Sequence, residues 1–124
     1  MFGSALVTLM VDDLARSIRF YRDTLGFGCA AGEDGETAEF EGPALRLRIH
    51  RRRPEIDIHG SGTSAIGLSV ADLGPVAAAL RARGVHVGRT IRAGPRRIAL
   101  FDDPDGNHWY LFDTAPPAPG RDPR

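Results

Sequence analysis

Apolar and polar positions alternate with period two over residues 6–11 and again over 65–70. That is the pattern of a strand with one face against a core. Each run leads into an aspartate, Asp13 or Asp72, placed to cap a helix. Leu14, Ile18, Tyr21 and Leu25 then recur at helical spacing and form one apolar stripe. Gly26 suits a left-handed C-terminal cap, with Phe27 as its apolar partner. A second helix is predicted over 73–83, where Pro75 is tolerated in the first turn. Gly84 and Val85 close it in the same way. Three strands are predicted after each helix, at 27–31, 37–40 and 44–50, then at 85–89, 97–101 and 108–113. Gly32-Glu33-Asp34-Gly35 and Asp103-Pro104-Asp105-Gly106 read as turns.

The chain therefore repeats itself. Val7-Thr8-Leu9-Met10-Val11-Asp12-Asp13-Leu14 is matched fifty-nine residues later by Ile66-Gly67-Leu68-Ser69-Val70-Ala71-Asp72-Leu73. The expected class is α+β, with two βαβββ modules (about 5–50 and 64–113) forming a cupped mixed sheet. A linker at 51–63, carrying an Arg run, Pro54 and Gly60-Ser61-Gly62, joins them. The Arg51-Arg52-Arg53 run reads as a solvated loop. Residues 1–114 are expected to form a single domain. Residues 115–124 hold four of the nine prolines and are expected to be a disordered tail.

A helix covers one face of its sheet and leaves the other for a ligand. In the first strand Val7, Leu9 and Val11 are uniformly apolar and should meet the helix, leaving Leu6, Thr8 and Met10 for the cup. The same argument leaves Arg46, Arg48 and His50 on the fourth strand. It leaves Ala65, Gly67 and Ser69 on the fifth, and His108, Tyr110 and Phe112 on the last. Phe101 joins this set as an aromatic contact. Aromatic, thioether, cationic and small residues together resemble a pocket for a small organic molecule. The small residues are expected to leave room, and the two arginines favour an anionic or aromatic ligand. The bland alternative is a solvated sheet face.

Composition narrows the partners. The 16 basic residues balance 16 acidic ones, so no basic excess is available for nucleic acid. All 16 are arginine, which reads as codon bias. One cysteine, Cys29, excludes an internal disulfide and suits a reducing compartment. It follows a helix C-terminus, where the dipole disfavours a thiolate, and is expected to be a small buried or half-buried residue. No basic leader precedes the first strand and no apolar run approaches the roughly 20 residues of a membrane span. A bacterial cytoplasmic protein is expected.

The stretch from Val11-Asp12-Asp13-Leu14 through Phe20-Tyr21-Arg22-Asp23-Thr24-Leu25-Gly26-Phe27 resembles the opening of the vicinal oxygen chelate superfamily. That superfamily includes glyoxalase I, bleomycin-resistance proteins and extradiol dioxygenases. Phe101-Asp102-Asp103-Pro104-Asp105-Gly106-Asn107 resembles its closing hairpin. The resemblance implies four metal-ligand positions, usually His or Gln, Glu, His and Glu. Here they fall on Leu6, on Arg46 or Arg48, on Ala65 and on Tyr110. No metal and no cofactor is therefore expected.

The leading expectation is a metal-independent protein of the bleomycin-resistance kind that sequesters a drug or metabolite, with antibiotic resistance as one outcome. One alternative is a metal-free enzyme using His50, His108 or Tyr110 as acid or base. Others are a lyase, isomerase or dioxygenase with a relocated metal site, and a ligand-free interaction module. By family resemblance the protein is expected to form a homodimer.

Overall fold

The computed structural model describes residues 1, 4–31, 35–42, 44–53 and 64–114. Most of the expected linker, residues 32–34 of the first turn, and the expected tail lie outside the described residues. The chain divides into two units, each α+β. The first is Met1–Ser64 together with Asp103–Asn107; the second comprises Ala65–Asp102 and the chain from His108 onward.

In the first unit β1 (Val7–Val11) leads into α1 (Leu14–Arg19), which continues as a π-helical turn, Phe20–Thr24. β2 (Gly28–Ala31), β3 (Thr37–Gly42) and β4 (Leu45–Arg51) follow. The sheet order is β1-β4-β3-β2, with β1 parallel to β4 and β3 antiparallel to its neighbours. Asp13 caps α1 as expected, its Oδ1 accepting the Arg16 N–H at 3.0 Å. α1 lies against β3 and β4, burying Leu14 and Ile18 with Ala38, Phe40, Leu47 and Ile49.

The predicted apolar stripe assumed a regular helix, but the last turn is wider. The Leu25 N–H donates to the Phe20 carbonyl at 2.9 Å, five residues back. Tyr21 becomes fully buried between Phe27 and Phe40, while Leu25 is only half-buried. Gly26 ends the segment at φ +80°, as its place in the sequence required.

The second unit repeats the plan. β5 (Ile66–Ser69) and α2 (Leu73–Ala82) precede β6 (Ile91–Ala93), β7 (Arg96–Asp102) and β8 (His108–Thr114). The sheet order is β5-β8-β7-β6, again with one parallel pair, β5 and β8. α2 packs on β7 and β8 through Leu73, Ala77 and Leu80, over Trp109, Leu111 and Ala99.

Three expectations need correction. Asp72 makes no capping hydrogen bond. Asp113 on β8 takes that role, accepting the Leu73 N–H at 2.8 Å and a two-point contact from Arg97. The strand expected at 85–89 is absent. Val85 and Val87 are buried in alternation with exposed His86, but the Gly88 N–H to Leu100 carbonyl bond (2.8 Å) is not extended into a ladder. The paired strand forms later, at β6. Cys29 is exposed because β2 is an edge strand.

The arginine run is exposed at Arg51 and Arg52, as expected, but it is not all loop and its side chains stand near carboxylates. Arg51 belongs to β4 and stands 3.5 Å from Glu36, and Arg52 Nε donates to Asp12 at 3.0 Å.

Candidate functional site

In the first unit, residues paired across strands share a face. Thr8 stands beside Arg48 and Met10 beside His50, while Glu39 on β3 faces Arg48 from the other side. Thr8, Met10, Arg46, Arg48 and His50 thus occupy the face away from α1. Thr8 and Arg46 are exposed, Arg48 and His50 half-buried, and Met10 buried. Arg46 Nη2 donates to Glu39 at 3.3 Å. His50 Nδ1 lies 2.8 Å from the Arg51 carbonyl. A carbonyl can only accept, so Nδ1 carries the proton and Nε2 of a neutral ring is left as an acceptor. Leu6 precedes the strand and is 46% exposed.

The second unit carries the aromatic part. Gly67, Ser69, His108, Tyr110 and Phe112 share the face away from α2, with Gly67 beside Tyr110 and Ser69 beside Phe112. The Tyr110 ring fills the space over Gly67, where a β-carbon would meet its Cζ at 2.4 Å. Gly67 therefore leaves room for Tyr110, not for a ligand. Tyr110 and Phe112 are 5.9 Å apart between ring centroids, tilted by 42°. The Arg96 guanidinium carbon lies 5.0 Å from the Phe112 centroid, a cation–π contact. Leu100, opposite Tyr110 on β7, is 49% exposed. At the other end of the strip His108 Nδ1 is 2.8 Å from Asp102 Oδ1.

Ala65 precedes β5 and is exposed. Phe101 is set apart from the other candidates. It is 3% exposed and stacks on Trp109 at 6.3 Å, opposite it in register and on the core side.

Arg96, Leu100 and Asp102 were missed because the alternation of β7 was read only for its core. All three alternate with the core residues of β7 and lie on its other face. A second omission is the turn Asp103–Asn107, which belongs to the first unit. Asp103 is buried and accepts the Tyr21 hydroxyl (2.6 Å), the Asn107 side-chain amide (2.8 Å) and the backbone N–H groups of Asp105 (2.9 Å) and Asn107 (2.8 Å). Asp105 accepts from the Asp12 N–H (2.9 Å), Arg16 (3.0 Å) and the Ser17 hydroxyl (3.0 Å). Asp105 thus fixes this turn on the start of α1, and Asp103 fixes it on the π-helical turn that follows.

Paired βαβββ modules, each with a helix on one sheet face and a candidate set of residues on the other, define a recognisable class of protein. The chain belongs to the Glyoxalase/Bleomycin resistance protein/Dioxygenase superfamily, whose model matches residues 3–111. It is 30% identical over 111 residues to the lactoylglutathione lyase of Haemophilus influenzae, covering 79% of this chain and 82% of that one. Among solved structures it is similar to TnmS3, an antibiotic binding protein from Streptomyces sp. CB03234. The TM-score is 0.75 and the identity 26%, over 93% of this chain and 98% of that one. A glyoxalase/bleomycin resistance protein from the same organism gives a TM-score of 0.68 at 29% identity, over 88% and 98%.

Strand pairing fixes the one family ligand position that the sequence left between two residues. Thr8 stands beside Arg48 as Gly67 stands beside Tyr110, at equivalent places in the repeat. The four positions that the resemblance implies then fall on Leu6, Arg48, Ala65 and Tyr110. Leu6 and Ala65 have no donor atom, Arg48 is a permanent cation, and Tyr110 offers a phenol. This set does not fit a divalent metal, which needs several oxygen, nitrogen or sulfur donors. Among the described residues no three His, Cys, Asp or Glu side chains gather as a metal site. Among them, too, no helix is long and apolar enough to cross a membrane.

Proposed function

We propose that this chain is a metal-independent small-molecule-binding protein that sequesters a drug or metabolite in the bacterial cytoplasm, as a homodimer. The observation that carries this reading is the donor set at the four family positions, Leu6, Arg48, Ala65 and Tyr110. An arginine in that set would repel a divalent cation. The aromatic strip of Tyr110 and Phe112 with Arg96 at its end supports binding of a planar, electron-rich or anionic ligand, since rings stack and cations sit over ring faces. The likeness to an antibiotic binding protein supports the same reading. The homodimer follows from the family resemblance.

A second reading, a metal-free enzyme, rests on His108 and Asp102. The carboxylate holds the Nδ1 proton, so Nε2 is the free basic atom of the ring. Without a substrate contact this geometry supports binding no less than catalysis.

The test is calorimetric titration of purified, metal-analysed protein with a panel of aromatic antibiotics and anionic metabolites, followed by a search for turnover. Binding without metal and without turnover is the expected result. Stoichiometric metal on the purified protein, with metal-dependent turnover, would overturn the reading. Sedimentation measures the oligomeric state in the same sample.

A further inference from the structure

Among the arginines on β4 and just after it, Arg46, Arg51, Arg52 and Arg53 each stand within ion-pair distance of a carboxylate, at 3.3, 3.5, 3.0 and 3.8 Å. Arg48 makes no ion pair or hydrogen bond among the described residues. Its Nε is buried and has no hydrogen-bond partner. Glu39 stands directly across β3 from Arg48, yet its Oε1 is turned to Arg46. Thr8 flanks Arg48 on the other side and supplies no charge. A guanidinium with a covered, unmatched N–H carries a desolvation cost that a bound anion would remove.

We infer that Arg48 is the anchor for a carboxylate on the ligand of this protein. The inference rests on the binding role proposed above and names the charged group that role requires. The planar guanidinium fork matches a planar two-oxygen anion. A monoanion is favoured over a dianion such as phosphate because Glu39 and Glu41 share the face with Arg46 and Arg48. Two glutamates against two arginines leave little cationic surplus for a second negative charge. Arg48 is a binding residue on this account, and nothing in its surroundings assigns it chemistry.

The probes are benzoate, its uncharged isostere benzamide, and inorganic phosphate, titrated into the full chain. The readout is the Nε–H signal of each arginine by nitrogen-15 NMR. Arg48→Met identifies the Arg48 signal and removes the charge while keeping the apolar stem. Arg22→Met, on an exposed pair with Asp23, serves as the control. Benzoate should move the Arg48 signal saturably, with benzamide and phosphate weaker by roughly tenfold or more. Arg48→Met should lose that preference and keep or raise the melting temperature, because the unmatched N–H is gone. An arginine serving only structure would lower it.

The inference is overturned if benzamide binds as well as benzoate, if phosphate binds better, or if no probe gives a saturable shift up to its solubility limit. Aromatic-ligand binding that survives unchanged in Arg48→Met would also overturn it, while leaving the metal-independent binding role standing.

Discussion

Tyr110 lies so close over Gly67 that a β-carbon on that glycine would stand 2.6 Å from the tyrosine hydroxyl oxygen. Neighbours on parallel strands, the two residues form one unit of surface, a backbone floor and a ring laid on it. Gly67→Ala must therefore move the ring, at a cost of about 1–3 kcal/mol in urea denaturation. The same substitution in a Tyr110→Ala background should be nearly neutral. Additive effects in this cycle would show that the ring does not depend on the missing β-carbon.

Tyr21→Phe should cost about 1–2 kcal/mol, because it removes one donor from the buried Asp103 carboxylate. Asp103→Ala should cost more, about 2–4 kcal/mol, since it removes the carboxylate that accepts from the Tyr21 hydroxyl, the Asn107 side-chain amide and two backbone N–H groups. Equal losses in the two variants would argue that the turn is held by Asp105 alone.

Asp113 has its carboxyl held below the ordinary 3.8, chiefly by the Arg97 hydrogen bonds and further by the Leu73 N–H. A group whose folded value is lowered contributes stability above its unfolded value and loses it as pH falls through the folded one. The gap in stability between the native chain and Asp113→Asn should therefore be constant from neutral pH down to about 5 and close below about 4. A gap that persists unchanged at the acid end would mean that the carboxylate charge is not what Arg97 and Leu73 hold.

Exhaustive dialysis against a chelator should leave the melting temperature and ligand affinity unchanged, given the donor set of Leu6, Arg48, Ala65 and Tyr110. Phe112→Ala should weaken an aromatic ligand by roughly threefold to thirtyfold, the range of one stacking and cation–π contact. Loss of affinity on chelation, restored by one divalent metal, would contradict this.

Local pattern made every strand but β6, both helices and the two glycine caps legible, because each depends on residues within a few positions. Val7 and Ile66 belong to one motif written twice, and the sheets repeat accordingly. Non-local pairings were not legible. The cap of α2 comes from Asp113, forty residues beyond Leu73, so nearby Asp72 was the natural and mistaken choice. Val85 and Val87 alternate as a strand would, yet burial alone gave the pattern and the ladder went to β6. The candidate faces could be divided by period two, but only the registers showed that Tyr110 covers Gly67 and that Phe101 joins Trp109.

The five residues Asp103–Asn107 have a bearing on how the chain comes into being. They complete the first unit, yet they are synthesised after much of the second. A ribosome that has released residues 1–64 has released an unfinished body. Until Asp103 and Asp105 emerge, the Tyr21 and Ser17 hydroxyls lack the carboxylates they hold in the finished protein. The two halves are written alike, but neither is complete until the end of the chain emerges, since β8 of the second follows this same turn, and a fragment ending near residue 64 should not be an autonomous folding unit.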